Sequence, residues 1–161
     1  MARKSRKKLN GAVGKVEKAV LFRAGLYARL SYESGVNRER GTIETQMELM
    51  RGFVEGTEDI VVQETYSDAS FTGITFERPG FERMMGDIRD GKINCVIVKD
   101  LSRLGRNYVE AGNYIERVFP FLNVRFISVN DGFDSFRGGT DLSMPLKNIV
   151  KNTRHLGGVN C

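Results

Sequence analysis

Ile93-Asn94-Cys95-Val96-Ile97-Val98 is a short, almost wholly apolar run rich in β-branched residues, closed by the charged Lys99-Asp100. A strand with no polar alternation is one covered on both faces, the pattern of a central strand in a parallel sheet. Parallel neighbours need crossover connections, and the flanking segments supply them. Ile43, Met47, Met50 and Val54 recur at helical spacing, as do Phe81, Met84, Met85 and Ile88. Between and around these segments lie further strand-like runs at 19–30, 60–66 and 124–129. The alternation predicts an α/β fold: a mostly parallel central sheet of about four to five strands with helices on both faces. Residues 131–139 read as a loop or short edge hairpin. A last helix with Leu142, Leu146, Ile149 and Val150 on one side reads as starting near Thr140.

The 161 residues suit one domain with a real core. Residues 1–19 have no apolar period and read as a basic flexible arm, residues 20–152 as the folded domain, and residues 153–161 as a tail with no helical pattern, foreign to the fold. Seven basic side chains up to Lys18 face only Glu17, so the formal charge of +5 resides in the arm and the body is close to neutral. Anion binding by the body must then come from local placement of cations. Cys95 and Cys161 are too far apart in sequence to suggest a disulfide framework or a metal-ligand set, and His155 stands alone. No apolar run reaches the length of a membrane span and no signal-peptide core follows the basic start, which reads as a soluble cytoplasmic protein.

Chemistry-bearing residues gather at predicted strand ends. In Leu26-Tyr27-Ala28-Arg29-Leu30-Ser31, strand alternation puts Arg29 and Ser31 on one face, at the carboxyl end where α/β sheets open onto their ligands. Arg78-Pro79 opens a helix, proline being suited to the first helical position. Asp100-Leu101-Ser102-Arg103-Leu104-Gly105-Arg106 follows the central strand. With Ser102 as a cap, Arg103 and Arg106 fall in the first turn of a helix carrying Ile115, Val118 and Phe119 inward. Cations there oppose the helix dipole by roughly 0.3–1 kcal/mol each, an arrangement suited to a bound anion. Gln46 sits on the apolar side of its helix, either as a satisfied core amide or as a group aimed at the site. A serine among arginines fits phosphoryl transfer, with serine as nucleophile and guanidiniums holding transition-state charge. No Gly-x-x-x-x-Gly-Lys-Ser/Thr loop is present, which argues against an NTPase. The rival readings are a metal-dependent nuclease using Asp68, Asp100 and Asp131, a non-catalytic synapsis module, and a DNA-independent phosphatase.

Tyr27-Ala28-Arg29-Leu30-Ser31, Glu44-Thr45-Gln46, Tyr66-Ser67-Asp68, Glu77-Arg78-Pro79-Gly80-Phe81 and Asp100-Leu101-Ser102-Arg103-Leu104-Gly105-Arg106, in that order, resemble the catalytic domain of serine site-specific recombinases. The resemblance spans about residues 20–150 and is greatest to the large enzymes that move transposons and integrative elements on bacterial DNA. It implies site-specific recombination of double-stranded DNA through a covalent 5′-phosphoserine. Ser31 is then the nucleophile, Arg29, Arg78, Arg103 and Arg106 grip the phosphate, and Gln46 orders the site. It implies no cofactor, no metal and no ATP, a homodimer assembling to a tetramer, and further DNA-reading domains joined through a long interface helix begun by the last helix here. Ser102 stands where small resolvases carry Asp, so the general acid and base are not assigned. Asp68 is expected to fix an arginine or a loop.

Overall fold

The computed structural model describes residues 21–30, 42–69, 78–105 and 107–137. Five strands, β1 (Phe22–Leu30), β2 (Ile60–Ala69), β3 (Cys95–Val98), β4 (Arg125–Ser128) and β5 (Phe133–Asp134), form one sheet in the order β2-β1-β3-β4-β5. The first four run parallel, and β5 returns antiparallel to β4 as the edge hairpin. All four residues of β3 are buried, as its unbroken apolar run requires. The helices are α1 (Ile43–Glu55), α2 (Pro79–Arg89), α3 (Tyr108–Asn113) and the short α4 (Phe119–Phe121). No helix among the described residues is long and apolar enough to cross a membrane.

Strand alternation sorts the core into two layers. Ala24, Leu26 and Ala28 of β1 pack with Cys95, Ile97 and Ile127 under Met47, Met50 and Val54 of α1. Tyr27, Val96, Val98 and Phe126 face the other way, under Phe81, Met84, Met85 and Ile88 of α2 and Ile115 and Phe119 beyond α3. Helices thus cover both faces, and the expected α/β architecture is the one observed. The chain passes from β1 outward to β2, then crosses back to β3 on the other side of β1. The crevice between the carboxyl ends of β1 and β3 is therefore a topological switch point, where α/β sheets hold their ligands.

Three local readings are corrected. First, β2 does not stop at Tyr66. Its polar end, Ser67-Asp68-Ala69, stays paired with Ala28-Arg29-Leu30, because a continuing parallel ladder satisfies backbone groups whatever the side chains. Second, Ser102 does not cap a helix through Arg103 and Arg106. Asp100 caps a single 3-10 turn, Leu101–Arg103, by accepting from the Ser102 amide at 3.1 Å. The α-helix starts only at Tyr108, capped by Asn107, whose Oδ1 accepts from the Glu110 amide at 2.9 Å. Third, the helix is not uniform. Tyr114–Val118 widens into a π-helical stretch, with the Phe119 amide bonded to the Tyr114 carbonyl, immediately before Pro120, which has no N–H to continue the α ladder. Ser31, Arg106 and the helix expected from Thr140 lie outside the described residues.

Candidate active site

The carboxyl end of β1 is clamped from both layers. Gln46 of α1 is fully buried. Its Nε2 donates to the Arg29 carbonyl and its Oε1 accepts from the Arg29 amide, both at 3.3 Å. Of its two readings, the satisfied core amide is the one observed, and its partner is the backbone leading into Ser31. From the opposite layer Arg103 Nη1 donates to the same Arg29 carbonyl at 2.8 Å. Arg103 is itself buried, with its Nε 3.6 Å from Asp100 Oδ2.

The Arg29 side chain crosses the switch point. Its Nη2 donates to the carbonyls of Ser102 at 2.6 Å and Gly105 at 3.3 Å. Burial, and then the like charge of Arg78, lower the pKa of Arg29 from its ordinary value, with Arg103 adding to the effect. Arg78 arrives from the start of α2. Its Nη2 donates to the Leu104 carbonyl at 2.6 Å, and its guanidinium lies 4.0 Å over the Phe81 ring. Three arginines from three chain segments thus converge on the turn after β3. Arg29 Nε and Arg103 Nε are buried without an acceptor among the described residues. Arg103 Nε faces the Asp100 carboxylate at 3.6 Å, which leaves Arg29 Nε as a buried charged donor among like charges, a setting suited to an anion.

The aspartates do not converge. Asp68 accepts from the amides of Gly80 at 2.7 Å and Phe81 at 2.9 Å, capping α2 from β2 in place of Arg78, which makes no side-chain cap bond. Asp100 caps its own turn, and Asp131 accepts from the Leu101 amide at 2.9 Å and the Ser128 hydroxyl at 2.5 Å. Asp100 and Asp131 both accept from amides of the Leu101–Arg103 turn, whereas Asp68 is committed to the start of α2, so the three carboxylates of the nuclease reading do not share a site. Among the described residues no group of three or more His, Cys, Asp or Glu could hold a metal ion.

Two partners of Arg78 escaped the sequence reading. The Tyr27 hydroxyl accepts from Arg78 Nε and Nη2, both at 3.1 Å, and donates to Asp68 Oδ2 at 2.9 Å. The signal was the two-residue spacing from Arg29, which puts both side chains on the α2 face of β1. Glu110, 3.8 Å from Arg78 Nη1, was signalled by Asn107-x-x-Glu110, the spacing of a helix start. The Tyr27 phenol is fully buried, and burial raises its pKa, so it is not a competing nucleophile.

A cationic crevice at the switch point of a parallel sheet is the place where an α/β protein holds a ligand. The family described as Resolvase, N terminal domain, matches residues 24–152, and the chain belongs to it. It is the catalytic domain of a serine recombinase, an enzyme of site-specific DNA recombination with DNA as its substrate. The fold is similar to the N-terminal catalytic domain of TP901-1 integrase, at 27% identity and TM-score 0.63, covering 83% of this chain and 98% of that one. It is similar also to a resolvase family site-specific recombinase from Streptococcus pneumoniae, at 28% identity and TM-score 0.62, covering 83% and 89%. The catalytic domain of ISC1926 TnpA, an IS607-like serine recombinase, shares the fold at 21% identity and TM-score 0.52, covering 82% and 80%. No curated protein sequence matches the chain.

Proposed function

We propose that Ser31 is the nucleophile of this recombinase and that Arg29, Arg78, Arg103 and Arg106 bind the scissile phosphate. The observation that carries the reading is the gathering of Arg29, Arg78 and Arg103 at the carboxyl end of β1, whose last residue, Leu30, precedes Ser31 in the chain. Ser31 Oγ attacks phosphorus and gives up its proton. The bond from phosphorus to the 3′ oxygen breaks, and that oxygen takes up a proton to leave as a 3′ hydroxyl. The 5′ phosphate stays on Ser31 as a diester, so its bond energy is retained and no ATP is needed. After partner exchange a 3′ hydroxyl attacks the phosphoserine and restores both the DNA and the serine. The guanidiniums place fixed positive charge where the additional negative charge develops, each such donor being worth roughly two to three orders of magnitude in rate. Gln46 acts one step back, by holding the backbone that carries Arg29 and leads into Ser31.

Cutting two duplexes requires four nucleophiles, which favours a homodimer that pairs into a tetramer for synapsis and strand exchange. Residues 20–152 serve as the catalytic unit, and the neutral body leaves site recognition to domains outside it.

A suicide-substrate assay tests the reading. A nicked duplex should trap this chain covalently on a 5′ end, resistant to denaturation and unaffected by EDTA. Ser31→Ala should abolish the adduct while duplex binding persists. Adducts from the alanine variant at the unsubstituted level would sink the assignment of Ser31. Loss of adducts with EDTA would instead point to a metal-dependent nuclease.

A further inference from the structure

Arg78 is a buried guanidinium whose two sides meet different company. Nε and Nη2 donate to the Tyr27 hydroxyl at 3.1 Å, and Nη2 donates also to the Leu104 carbonyl at 2.6 Å, both neutral acceptors. Nη1 faces a charge, for Glu110 Oε1 lies 3.8 Å away, in the first turn of α3. A buried cation calls for an opposite charge, yet 3.8 Å is too long for a hydrogen bond. The contact is therefore Coulombic and loose, unlike the 2.7 Å pairs that hold Arg125. A phosphate oxygen at Nη1 would make the short charge-assisted bond that Glu110 does not. Two anions at that position would repel each other, so phosphate and carboxylate compete for it. The carboxylate has room to yield: Glu110 is partly exposed and borders a cavity of about 440 Å³, with Arg89 in the same wall.

We propose that Glu110 is a resting counter-ion for Arg78: its carboxylate faces Nη1 before DNA binds and is displaced toward the cavity when the scissile phosphate arrives. The proposal rests on the assignment of Arg78 to phosphate binding made above. Glu110 then sets which anions enter rather than taking part in the chemistry. It neutralises a buried cation and weakens every anion that competes for Nη1. A small anion held by Arg78 alone has nothing to offset that loss, whereas a phosphodiester that also reaches Arg29 and Arg103 recovers it through further charge-assisted bonds. The exchange leaves the start of α3 in place, because the bond to the Asn107 cap is made by the Glu110 amide and not by its side chain.

Glu110→Gln isolates the effect in the full 161-residue chain, since it removes the charge, keeps the shape and suits the third position of a helix as well as glutamate does. The probe is inorganic phosphate, titrated against the Arg78 Nε–H signal in NMR with ionic strength held constant by sodium chloride. The half-saturating phosphate concentration should fall roughly two- to fivefold in Glu110→Gln, the worth of one partly exposed ion pair. Glu110→Asp, which draws the charge back by one methylene, should give a smaller gain in the same direction. Glu82→Gln removes an equal charge from the same cavity wall and should change the value by less than about 1.5-fold, because Glu82 is not the group paired with Nη1. Without phosphate Glu110→Gln should melt below the unsubstituted chain, and added phosphate should raise its melting temperature more. On a nicked suicide duplex the half-saturating DNA concentration should also fall, while the adduct rate at saturation stays within about twofold. No gain from Glu110→Gln, or an equal gain from Glu82→Gln, would overturn the proposal. Absence of any phosphate response at Arg78 would overturn it together with the assignment of Arg78. A normal phosphate response in a chain that forms no adduct would count against the phosphoserine reading and leave the role of Glu110 standing.

Discussion

A buried guanidinium needs an account of each of its N–H groups, and at this site that account fixes what substitutions do. Read from the sequence, Arg103 is a cation opposing a helix dipole, whose removal leaves stability unchanged or slightly raised. In the fold it is buried in a 3-10 turn, bonded to the Arg29 carbonyl and 3.6 Å from Asp100. Arg103→Ala should therefore lower stability by about 1 kcal/mol, since it removes a buried hydrogen bond to the Arg29 carbonyl, which keeps Gln46, and the contact with Asp100, which keeps the Ser102 amide. It should also slow adduct formation by orders of magnitude. Thermal melts and suicide-substrate rates measured together check this, and an unchanged melt would restore the dipole reading. The tyrosines make a pH prediction. Burial raises the pKa of Tyr27 and of Tyr66, the latter with help from its hydrogen bond to Asp87. An unfolded phenol titrates near about 10, so the folded state holds these protons more tightly. The stability so gained is complete below about pH 10 and is lost as pH rises through the folded-state values. Denaturant midpoints should fall on that alkaline limb, and fall less in a Tyr27→Phe, Tyr66→Phe double variant, whose side chains have no proton to lose.

At the scale of elements, the site depends on how α2 starts. Asp68 at the end of β2 caps the helix, supplying the acceptor that the donor-only guanidinium of Arg78 cannot, while Arg78 points into the crevice. That close approach leaves no room for a side chain at position 80, where a Cβ would run into the Ser67 carbonyl. Gly80→Ala should cost about 1–3 kcal/mol by overpacking and shift the start of α2. Adduct formation should fall more than melting temperature alone predicts, because Arg78 moves with the helix. At the other end of the sheet Arg125 ties β4 to β5 and to the segment before β2. It pairs with Asp134 and Asp59, both at 2.7 Å, and stacks between Phe22 and Phe136. Arg125→Met should destabilise the fold by about 3 kcal/mol, the low end for a broken buried pair, because Asp59 stays one-third exposed. Denaturation by urea measures it. No comparable change is expected in the site-specific chemistry at the far end of the strands.

For the whole molecule, charge is separated from chemistry. The arm to Lys18 carries seven basic side chains, whereas the folded body is near neutral and brings Arg29, Arg78 and Arg103 together in one crevice. DNA binding by the 161-residue chain should be weak, nearly indifferent to sequence and steeply salt-dependent. Each phosphate neutralised contributes about 0.9 to the slope of log affinity against log salt. Removing residues 1–18 should flatten that slope by several units and leave the adduct chemistry of Ser31 in place. Gel-shift titrations over a salt series, with cognate and scrambled duplexes, check both. A strong preference for one sequence would place recognition inside this domain.

The strands, the helical periods and the residue types of the site were legible in the sequence, because burial imposes its period on any chain that folds this way. The unbroken apolar run at β3 and the stripes of α1 and α2 led to a parallel sheet with two helical layers, the architecture observed. Motif order carried the family. The sequence did not show that β3 returns to the far side of β1, and that crossing creates the crevice. Nor did it show that Gln46 grips the backbone of Arg29, that Asp68 caps α2, or that Tyr27 stands behind Arg78. Each is a contact between residues at least 12 positions apart, set by which strand lies beside which. The misreading at Ser102 has the same origin. Ser102 and Asn107 both satisfy the local rules for a helix cap, and only the packing of Leu101, Leu104 and Gly105 against the sheet and α3 decided where the helix begins. Local chemistry fixed the alphabet of the site, and tertiary pairing chose which of its hydrogen bonds are made.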